Sequence, residues 1–223
     1  MSPALLVRVA IGGLLVACAF GCACRLYLRL RGAANPRFPI ASVALIGVTV
    51  LITGLQFVFP EILEALRRNG QALRAGEWWR IVTPLFVQAD GWVQCVVNGI
   101  GALTLLPLGE KLYGKKMLAL YFIPGVVGEI VAYTRGSHGA GSSLGICGVI
   151  GGIFAFAWIH RSEQPRSTVV LAIVGLCAAV VLIFCPDFHG PPILAGAVMA
   201  GMMRPAAGVV DSSATGVSRS CER

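Results

Sequence analysis

A serine in a short glycine-rich stretch is the residue of this sequence with the clearest chemical potential. Residues 141–145 read Gly-Ser-Ser-Leu-Gly, which fits the G-x-S-x-G pattern of a nucleophilic serine on a sharp turn. In soluble hydrolases this pattern lies between a strand and a helix, with an acid and a histidine later in the chain. A serine becomes a nucleophile when an imidazole accepts its proton and nearby donors stabilise the oxyanion. The question is which histidine reaches Ser143, and on what fold.

The composition indicates that the fold lies in a membrane. Of the 223 residues, 57% are hydrophobic and 13% are charged, and the mean hydropathy is +0.80, whereas a soluble domain has about 25% charged residues. A helix needs about 20 apolar residues to cross the hydrocarbon core. We therefore predict seven membrane-spanning segments, at residues 4–24, 40–60, 92–109, 117–134, 143–159, 168–186 and 190–207.

The distribution of basic residues predicts the orientation of these segments, because Lys and Arg accumulate in short cytoplasmic loops. Twelve of the eighteen basic residues follow odd-numbered segments: Arg25, Arg29, Arg31, Arg37, Lys111, Lys115, Lys116, Arg161, Arg166, Arg204, Arg219 and Arg223. We expect the N-terminus outside and the C-terminus in the cytoplasm, in the plasma (inner) membrane of a cell. The net charge of +8 reflects this asymmetry and does not support nucleic-acid binding, which needs a basic face on a soluble module.

The chain divides into three predicted regions. Residues 1–39 form an N-terminal transmembrane anchor with a basic linker, 40–207 the membrane domain and 208–223 a cytoplasmic polar tail. The long loop at 61–91 begins with an apolar spacing, at 61–68, that is typical of an amphipathic helix in the interface. The eight cysteines lack paired metal-ligand spacing, so we expect them to pack as small apolar residues, with no metal site.

Three polar residues are predicted to meet on one side of the membrane. Asn98, Ser143 and His189 each lie near the start of a segment that runs inward from the outside, and buried polar groups at membrane depth need partners. His160 lies at the opposite end of its segment, and His138 is joined to the serine by a flexible glycine-rich connection. His189 is therefore the better candidate base. Small residues are also common where membrane helices pack closely, so these residues alone leave a packing role for Ser143 open.

Five stretches of the sequence carry a resemblance to one family. They are Glu77–Phe86 with a Trp-Arg pair, the W-x-x-x-x-x-N element Trp92–Asn98, the E-x-x-x-G element Glu110–Gly114, Gly141–Ser143 followed by Gly148 and Gly151, and His189 ahead of Ala195-Gly196. In this order the chain resembles the rhomboid intramembrane serine proteases over residues 40 to 205. The match to a soluble nucleophile turn is then accidental, because no strand precedes Ser143.

The resemblance implies an all-α membrane protein, a six-helix bundle with one additional N-terminal transmembrane helix, seven in total. It implies a Ser143 and His189 catalytic dyad without a third acid, with Asn98 and Gln94 at the oxyanion. Substrates would be transmembrane segments of single-pass proteins, entering from the lipid bilayer past the 61–91 loop and the sixth segment, with no metal or nucleotide cofactor. On this view Asp187 is a helix-start residue.

The sequence also departs from the family pattern at several positions. Gln94 replaces a histidine that helps to hold the oxyanion, Leu144 replaces a glycine, Pro192 takes a place usually filled by glycine, and Cys147 stands where an aromatic ring normally packs on the histidine. If position 144 needs a positive φ, leucine there adds strain of about 1–2 kcal/mol.

These observations leave a first hypothesis and two alternatives. The first is an intramembrane serine endopeptidase. The second is a catalytically silent relative that binds transmembrane helices for trafficking or quality control, which the departures favour and the retention of both dyad residues opposes. A transporter is poorly supported, because Glu129 is the one candidate buried carboxylate and transport sites normally need several such groups.

Overall fold

The computed structural model describes residues 3–30, 38–185 and 187–206, and all regular secondary structure in these ranges is helical. The α-helices are α1 (Pro3–Leu30), α2 (Ile40–Val58), α3 (Pro60–Leu66), α4 (Gly70–Arg74), α5 (Gly91–Tyr113), α6 (Met117–Thr134), α7 (Ser143–Ile159), α8 (Arg166–Phe184) and α9 (Gly190–Gly201). Short 3₁₀ turns at Trp78–Ile81 and Thr83–Phe86 complete the loop before α5. The predicted tail at 208–223 and residues 31–37 of the predicted linker lie outside the described residues.

Each predicted apolar segment contains a helix, but the helices differ in their ability to cross a membrane. Within the described residues, four stretches are long and apolar enough for that: Leu5–Leu30, Ile40–Val58, Gly91–Thr134, which joins α5 and α6, and Arg166–Phe184. The helices α7 and α9 have 17 and 12 residues, and at 1.5 Å per residue the shorter covers about 18 Å. The protein is thus an all-helical integral membrane protein, whereas seven full spans remain a prediction.

Several predicted boundaries were wrong at helix ends. The last segment, predicted to reach 207, is helical only to Gly201, and Arg204-Pro205 follow in irregular structure. The amphipathic helix predicted at 61–68 ends at Leu66, and Arg68 is buried instead of facing an interface. Pro205 follows α9, and a helix usually ends before a proline; after α3, Arg68 turns inward and pairs with Glu129. Hydrophobic periodicity detects neither feature.

Helix α7 lies in the middle of the bundle, in contact with α1, α5, α6, α8 and α9. Every residue from Leu144 to Ala157 is buried, which is the behaviour of a helix that is apolar on all faces. The first residue of this helix, Ser143, is half-buried. The packing of α7 therefore fixes the position of the serine.

The helix α1 shares the core of the bundle. Leu15, Cys18, Cys22 and Leu26 are buried with residues of the other helices, and α1 makes its most extensive contacts with α8. A boundary near residue 39 remains a prediction, but α1 is packed as an integral part of the helix bundle.

Candidate functional site

Ser143 and His189 meet at one end of the bundle. Ser143 is the first residue of α7, and His189 immediately precedes α9. The Oγ atom of Ser143 lies 3.2 Å from Nε2 of His189, within hydrogen-bonding reach for a nucleophile and its base. The sequence predicted that these two residues come together, and the structure brings them together.

Asp187 provides a second partner for the imidazole. Its Oδ1 atom lies 2.8 Å from Nδ1 of His189 and accepts a 2.8 Å hydrogen bond from the backbone N–H of His189. A carboxylate can only accept, so Nδ1 carries the hydrogen and Nε2 is left to accept from the serine hydroxyl. The sequence-based interpretation of Asp187 as a helix-start residue describes only the backbone bond and omits the bond to the ring.

The electrostatics keep Asp187 ionised. Burial acts to raise the pKa of this carboxyl, but the hydrogen bonds and charge of His189, together with the Arg8 guanidinium, outweigh it, and the pKa lies below its ordinary value. The side chain of Asp187 is 12% exposed, and Arg8 Nε of α1 lies 3.4 Å from Oδ2. The negative charge of Asp187 therefore lies next to the imidazole of His189.

Two arginines from other elements hold the segment that carries Asp187 and His189. Arg135, at the end of α6, donates to the backbone carbonyls of Ile183, Cys185 and Asp187. Arg68 lies with its guanidinium carbon 5.2 Å from the ring centroid of Phe188. A loop whose carbonyls and aromatic side chain are held in this way presents His189 in one orientation.

Arg68 is itself held by a buried carboxylate. Its Nε and Nη2 atoms donate to the two carboxylate oxygens of Glu129 at 2.7 and 3.0 Å, and both side chains are almost fully buried. This bidentate geometry combines two charge-assisted hydrogen bonds and fixes the relative orientation of the two groups. Glu129 thus has a structural partner, which accounts for a carboxylate in the middle of an apolar helix.

Glycines bring the serine and histidine helices together. A Cβ atom on Gly151 would collide with the backbone carbonyl oxygen of Ile193, and one on Gly196 would collide with the carbonyl oxygen of Gly148. The helices α7 and α9 can approach this closely only because these positions lack side chains. The separation of Ser143 and His189 is set by this backbone contact.

The two predicted oxyanion residues lie at different distances from the serine. Gln94 Nε2 donates to the carbonyl oxygen of Ala140 at 2.9 Å. A Cβ atom on Gly141 would collide with that nitrogen and would lie 3.5 Å from Ser143 Oγ. The amide of Gln94 and the serine hydroxyl thus border the same space beside Gly141.

Asn98 is linked to the residue next to Ser143 through one intervening side chain. Its Nδ2 atom donates to Gln88 Oε1 at 2.7 Å, and Gln88 Nε2 donates to Ser142 Oγ at 3.1 Å. Gln56 holds Gln88 in turn. Its Nε2 atom donates to the backbone carbonyl oxygen of Gln88 at 2.8 Å, and its Oε1 atom accepts from the backbone N–H of Gln88 at 2.9 Å. Sequence reasoning missed Gln88 because a single glutamine in a loop carries no periodic signal.

The departures from the family pattern are accommodated in the structure. Leu144 is within α7 and buried at 1% exposure, so its backbone is helical and the anticipated strain at positive φ does not arise. Its side chain packs on Gly128, as does Pro192 in the first turn of α9. Cys147 is buried, and the ring adjacent to His189 is that of Phe188, with centroids 5.0 Å apart.

The other two histidines do not reach Ser143. His160 lies beyond the far end of α7 beside Glu163, with 3.6 Å between Nδ1 and Oε1, and the side chain of His138 is exposed. Within the described residues, no group of three His, Cys, Asp or Glu side chains could hold a metal ion.

A cleft of about 360 Å³ opens between α2 and α5. Its walls are mostly apolar, and it reaches the polar side chains that adjoin Ser143. The polar residues Gln88, Asn98 and Ser142 line it, together with Gly54 and Gly99.

Comparison with known proteins assigns the chain to a family. Residues 75–203 match the model of the Rhomboid domain. The chain is 32% identical over 116 residues to Rhomboid-like protease 3 of Toxoplasma gondii, which covers 49% of this chain and 43% of the relative. It is 25% identical over 115 residues to the Rhomboid protease GluP of Bacillus subtilis, covering 49% and 22%.

A third relative shows a similar partial match. YdcA of Bacillus subtilis, a candidate rhomboid protease by its name, is 29% identical over 107 residues, which covers 44% of this chain and 52% of YdcA. The chain thus spans about half or less of the length of these relatives. Because the domain match covers more than half of this sequence and contains both Ser143 and His189, the chain belongs to the rhomboid family.

Proposed function

We propose that the chain is an intramembrane serine endopeptidase that cleaves transmembrane segments of other membrane proteins. The observation that carries the proposal is the 3.2 Å approach of Ser143 Oγ to His189 Nε2, in a chain whose family includes proteins named as proteases. A pair of such residues at the end of a helix bundle has no evident packing purpose, since Ser143 and His189 are both only half-buried.

The proposed reaction proceeds through an acyl-enzyme. His189 Nε2 accepts the proton of the Ser143 hydroxyl as Oγ attacks the scissile carbonyl, and the imidazolium then donates that proton to the leaving amine. A water molecule then loses a proton to the same nitrogen as its oxygen attacks the acyl carbon; the ester bond to Oγ breaks, and the imidazolium returns the proton to Ser143. His189 thus acts first as a base and then as an acid in each half of the reaction.

The oxyanion is proposed to lie beside Gly141. The backbone N–H of Ser143 is in the first turn of α7, where N–H groups lack intrahelical partners and the helix dipole favours negative charge. The amide of Gln94 carries two hydrogens, of which one points to Ala140, so the second is a donor for the oxyanion. Asn98 supports this region through Gln88.

We place the entry of the substrate at the cleft between α2 and α5. The cleft is apolar along its walls and leads to Asn98 and Ser142, which suits a transmembrane helix whose backbone must unwind next to Ser143. A substrate that approached past α8 would meet α1, which packs along that helix. The site would face the side of the membrane opposite the cytoplasm, as the basic loops predict.

A second candidate function is that of a silent protein that binds transmembrane helices. It is favoured by the hydrogen bonds of the two predicted oxyanion residues, because Asn98 and Gln94 both donate to protein oxygens instead of pointing into an empty pocket. Such a protein would use the cleft for binding, and Ser143 would not act as a nucleophile.

Labelling with a fluorescent fluorophosphonate separates the two functions. We expect the detergent-purified protein to be labelled, Ser143→Ala and His189→Ala to be dark, and Ser167→Ala to match the wild type, since Ser167 is exposed at the start of α8. Cleavage of a single-pass reporter should follow the same pattern. A folded wild-type protein that stays dark, or labelling that persists in Ser143→Ala, contradicts the proposed reaction.

A further inference from the structure

Arg8 is a charged residue in an apolar helix, so its position calls for a structural explanation. It is the one charged residue in α1 before Arg25, and an ionisable side chain inside a membrane segment is costly unless it pairs or reaches the interface. Its Nε atom lies 3.4 Å from Oδ2 of Asp187. A residue of the first helix therefore contacts the segment between α8 and α9 that carries His189.

The packing of α1 against α8 places Arg8 at that level. The two helices run antiparallel: Cys22 Sγ lies 4.0 Å from the carbonyl oxygen of Thr168 near the start of α8, and α8 ends just before Asp187. Gly21 fits against Leu171, where an added Cβ would approach to 3.1 Å. These contacts lie away from Arg8, and they fix the register between α1 and α8. Because this register brings the start of α1 to the level of Asp187, the contact of Arg8 does not depend on the flexibility of its side chain alone.

The two oxygens of Asp187 have separate partners. Oδ1 bonds the backbone N–H and the ring Nδ1 of His189, both at 2.8 Å, whereas Oδ2 faces Arg8. A carboxylate held at both oxygens cannot rotate away from the imidazole. The chain of contacts runs from Arg8 through Asp187 and His189 to Ser143.

We propose that Asp187 is a positioning residue for His189 and that Arg8 completes the site by holding the Asp187 carboxylate, so that α1 contributes to catalysis and not to anchoring alone. This inference rests on the proposed function. In the reaction, Asp187 keeps the hydrogen of the imidazole on Nδ1 and stabilises the imidazolium that forms at each proton transfer. Arg8 does not contact the substrate.

The expected effects differ in size along this chain of contacts. Loss of the carboxylate in serine proteases with a triad lowers kcat on the order of 10⁴-fold, and we expect Asp187→Asn to lower the rate of fluorophosphonate inactivation by at least about tenfold. Arg8 is 44% exposed, so Arg8→Gln should lower that rate by roughly two- to fivefold. Both should leave the half-saturating concentration of the reagent unchanged.

The test compares Arg8→Gln with Arg8→Lys and with Arg25→Gln, in the full chain in detergent. Arg25 lies on the same helix and donates to the carbonyl oxygen of Gly21 within that helix, so it controls for loss of an arginine from α1. We expect Arg8→Lys to keep at least half of the wild-type inactivation rate, and Arg25→Gln to match the wild type. Unfolding temperature is measured for every variant.

The outcomes separate this inference from the proposed function. A labelled wild type with equal rates for Arg8→Gln and Arg25→Gln overturns the role of α1 and leaves the serine chemistry in place. Equal loss in Arg8→Gln and Arg8→Lys, accompanied by a lower unfolding temperature, shows a structural role only and also overturns it. A folded wild type that is not labelled overturns both.

Discussion

Two pairs of helices in this protein pack in opposite ways. The backbones of α7 and α9 touch, whereas α2 and α5 leave a cleft between them. At the first, glycines allow backbones to touch, as at Gly151 with Ile193. At the second, glycines border open space, since an added Cβ at Gly54 or Gly99 meets nothing within 4 Å and the cleft of about 360 Å³ lies between the helices. The comparison teaches that the same residue type brings Ser143 and His189 close together in one place and leaves a cleft open in another.

The largest expected difference follows from the same substitution at the two contacts. Gly151→Ala should destabilise the protein by about 3 kcal/mol or more, because the new methyl group overlaps a backbone carbonyl and the helices must separate. Gly99→Ala should be neutral or should stabilise the protein by up to about 1 kcal/mol, because alanine favours a helix over glycine. Thermal unfolding in detergent and fluorophosphonate labelling measure both. Equal stabilities of the two variants would mean that α7 and α9 are not in backbone contact.

The second prediction concerns the support behind the segment that carries Asp187 and His189. Glu129→Gln leaves the buried guanidinium of Arg68 without its counter-charge, and we expect a loss of about 3 kcal/mol in stability. The control is Glu64→Gln, which removes an exposed pair with Arg67 and should cost less than about 1 kcal/mol. Denaturant titration reports the difference, and a Glu129→Gln protein as stable as the control would show that the buried pair is not needed.

The smallest effect is expected in the cleft. Gly54→Leu should partly fill it and raise KM for a transmembrane substrate by roughly three- to tenfold, a change of about 1 kcal/mol in binding, while labelling by the small fluorophosphonate stays at the wild-type rate. Gly47→Leu, on the same helix and also facing open space but outside the cleft, should leave KM unchanged. If the two leucine variants have equal KM values, the substrate does not enter between α2 and α5.

The sequence predicted much of this molecule because membrane helices follow simple rules. Hydropathy located every long helix, and the alternation of segments predicted that Ser143 and His189 lie on one side. The structure brings these two residues to hydrogen-bonding distance. What could not be predicted is the detailed partner of each polar atom, since a two-residue spacing such as that of Asp187 and His189 is compatible with a helix start or with a ring hydrogen bond.

Other contacts needed long-range information. Gln88 joins Asn98 to Ser142 across 10 and 54 positions of sequence, and no local pattern indicates such a network. Arg8 did carry a signal that the sequence analysis left unused: a single arginine inside a long apolar segment indicates a paired or functional residue. Its partner, however, depends on the register between α1 and α8, which hydropathy does not determine.

If the proposed mechanism holds, the order of Ser143 and His189 along the chain also determines when the protein can become active. The two residues are 46 positions apart, and α9 is inserted into the membrane after α7 during synthesis, since chains emerge from the N-terminal side. On the proposed mechanism, a partly made chain has its serine in the bilayer without its base. A nascent molecule is therefore harmless to the other membrane proteins that pass through the insertion machinery at the same time, and no separate inhibitory segment is needed for this protection.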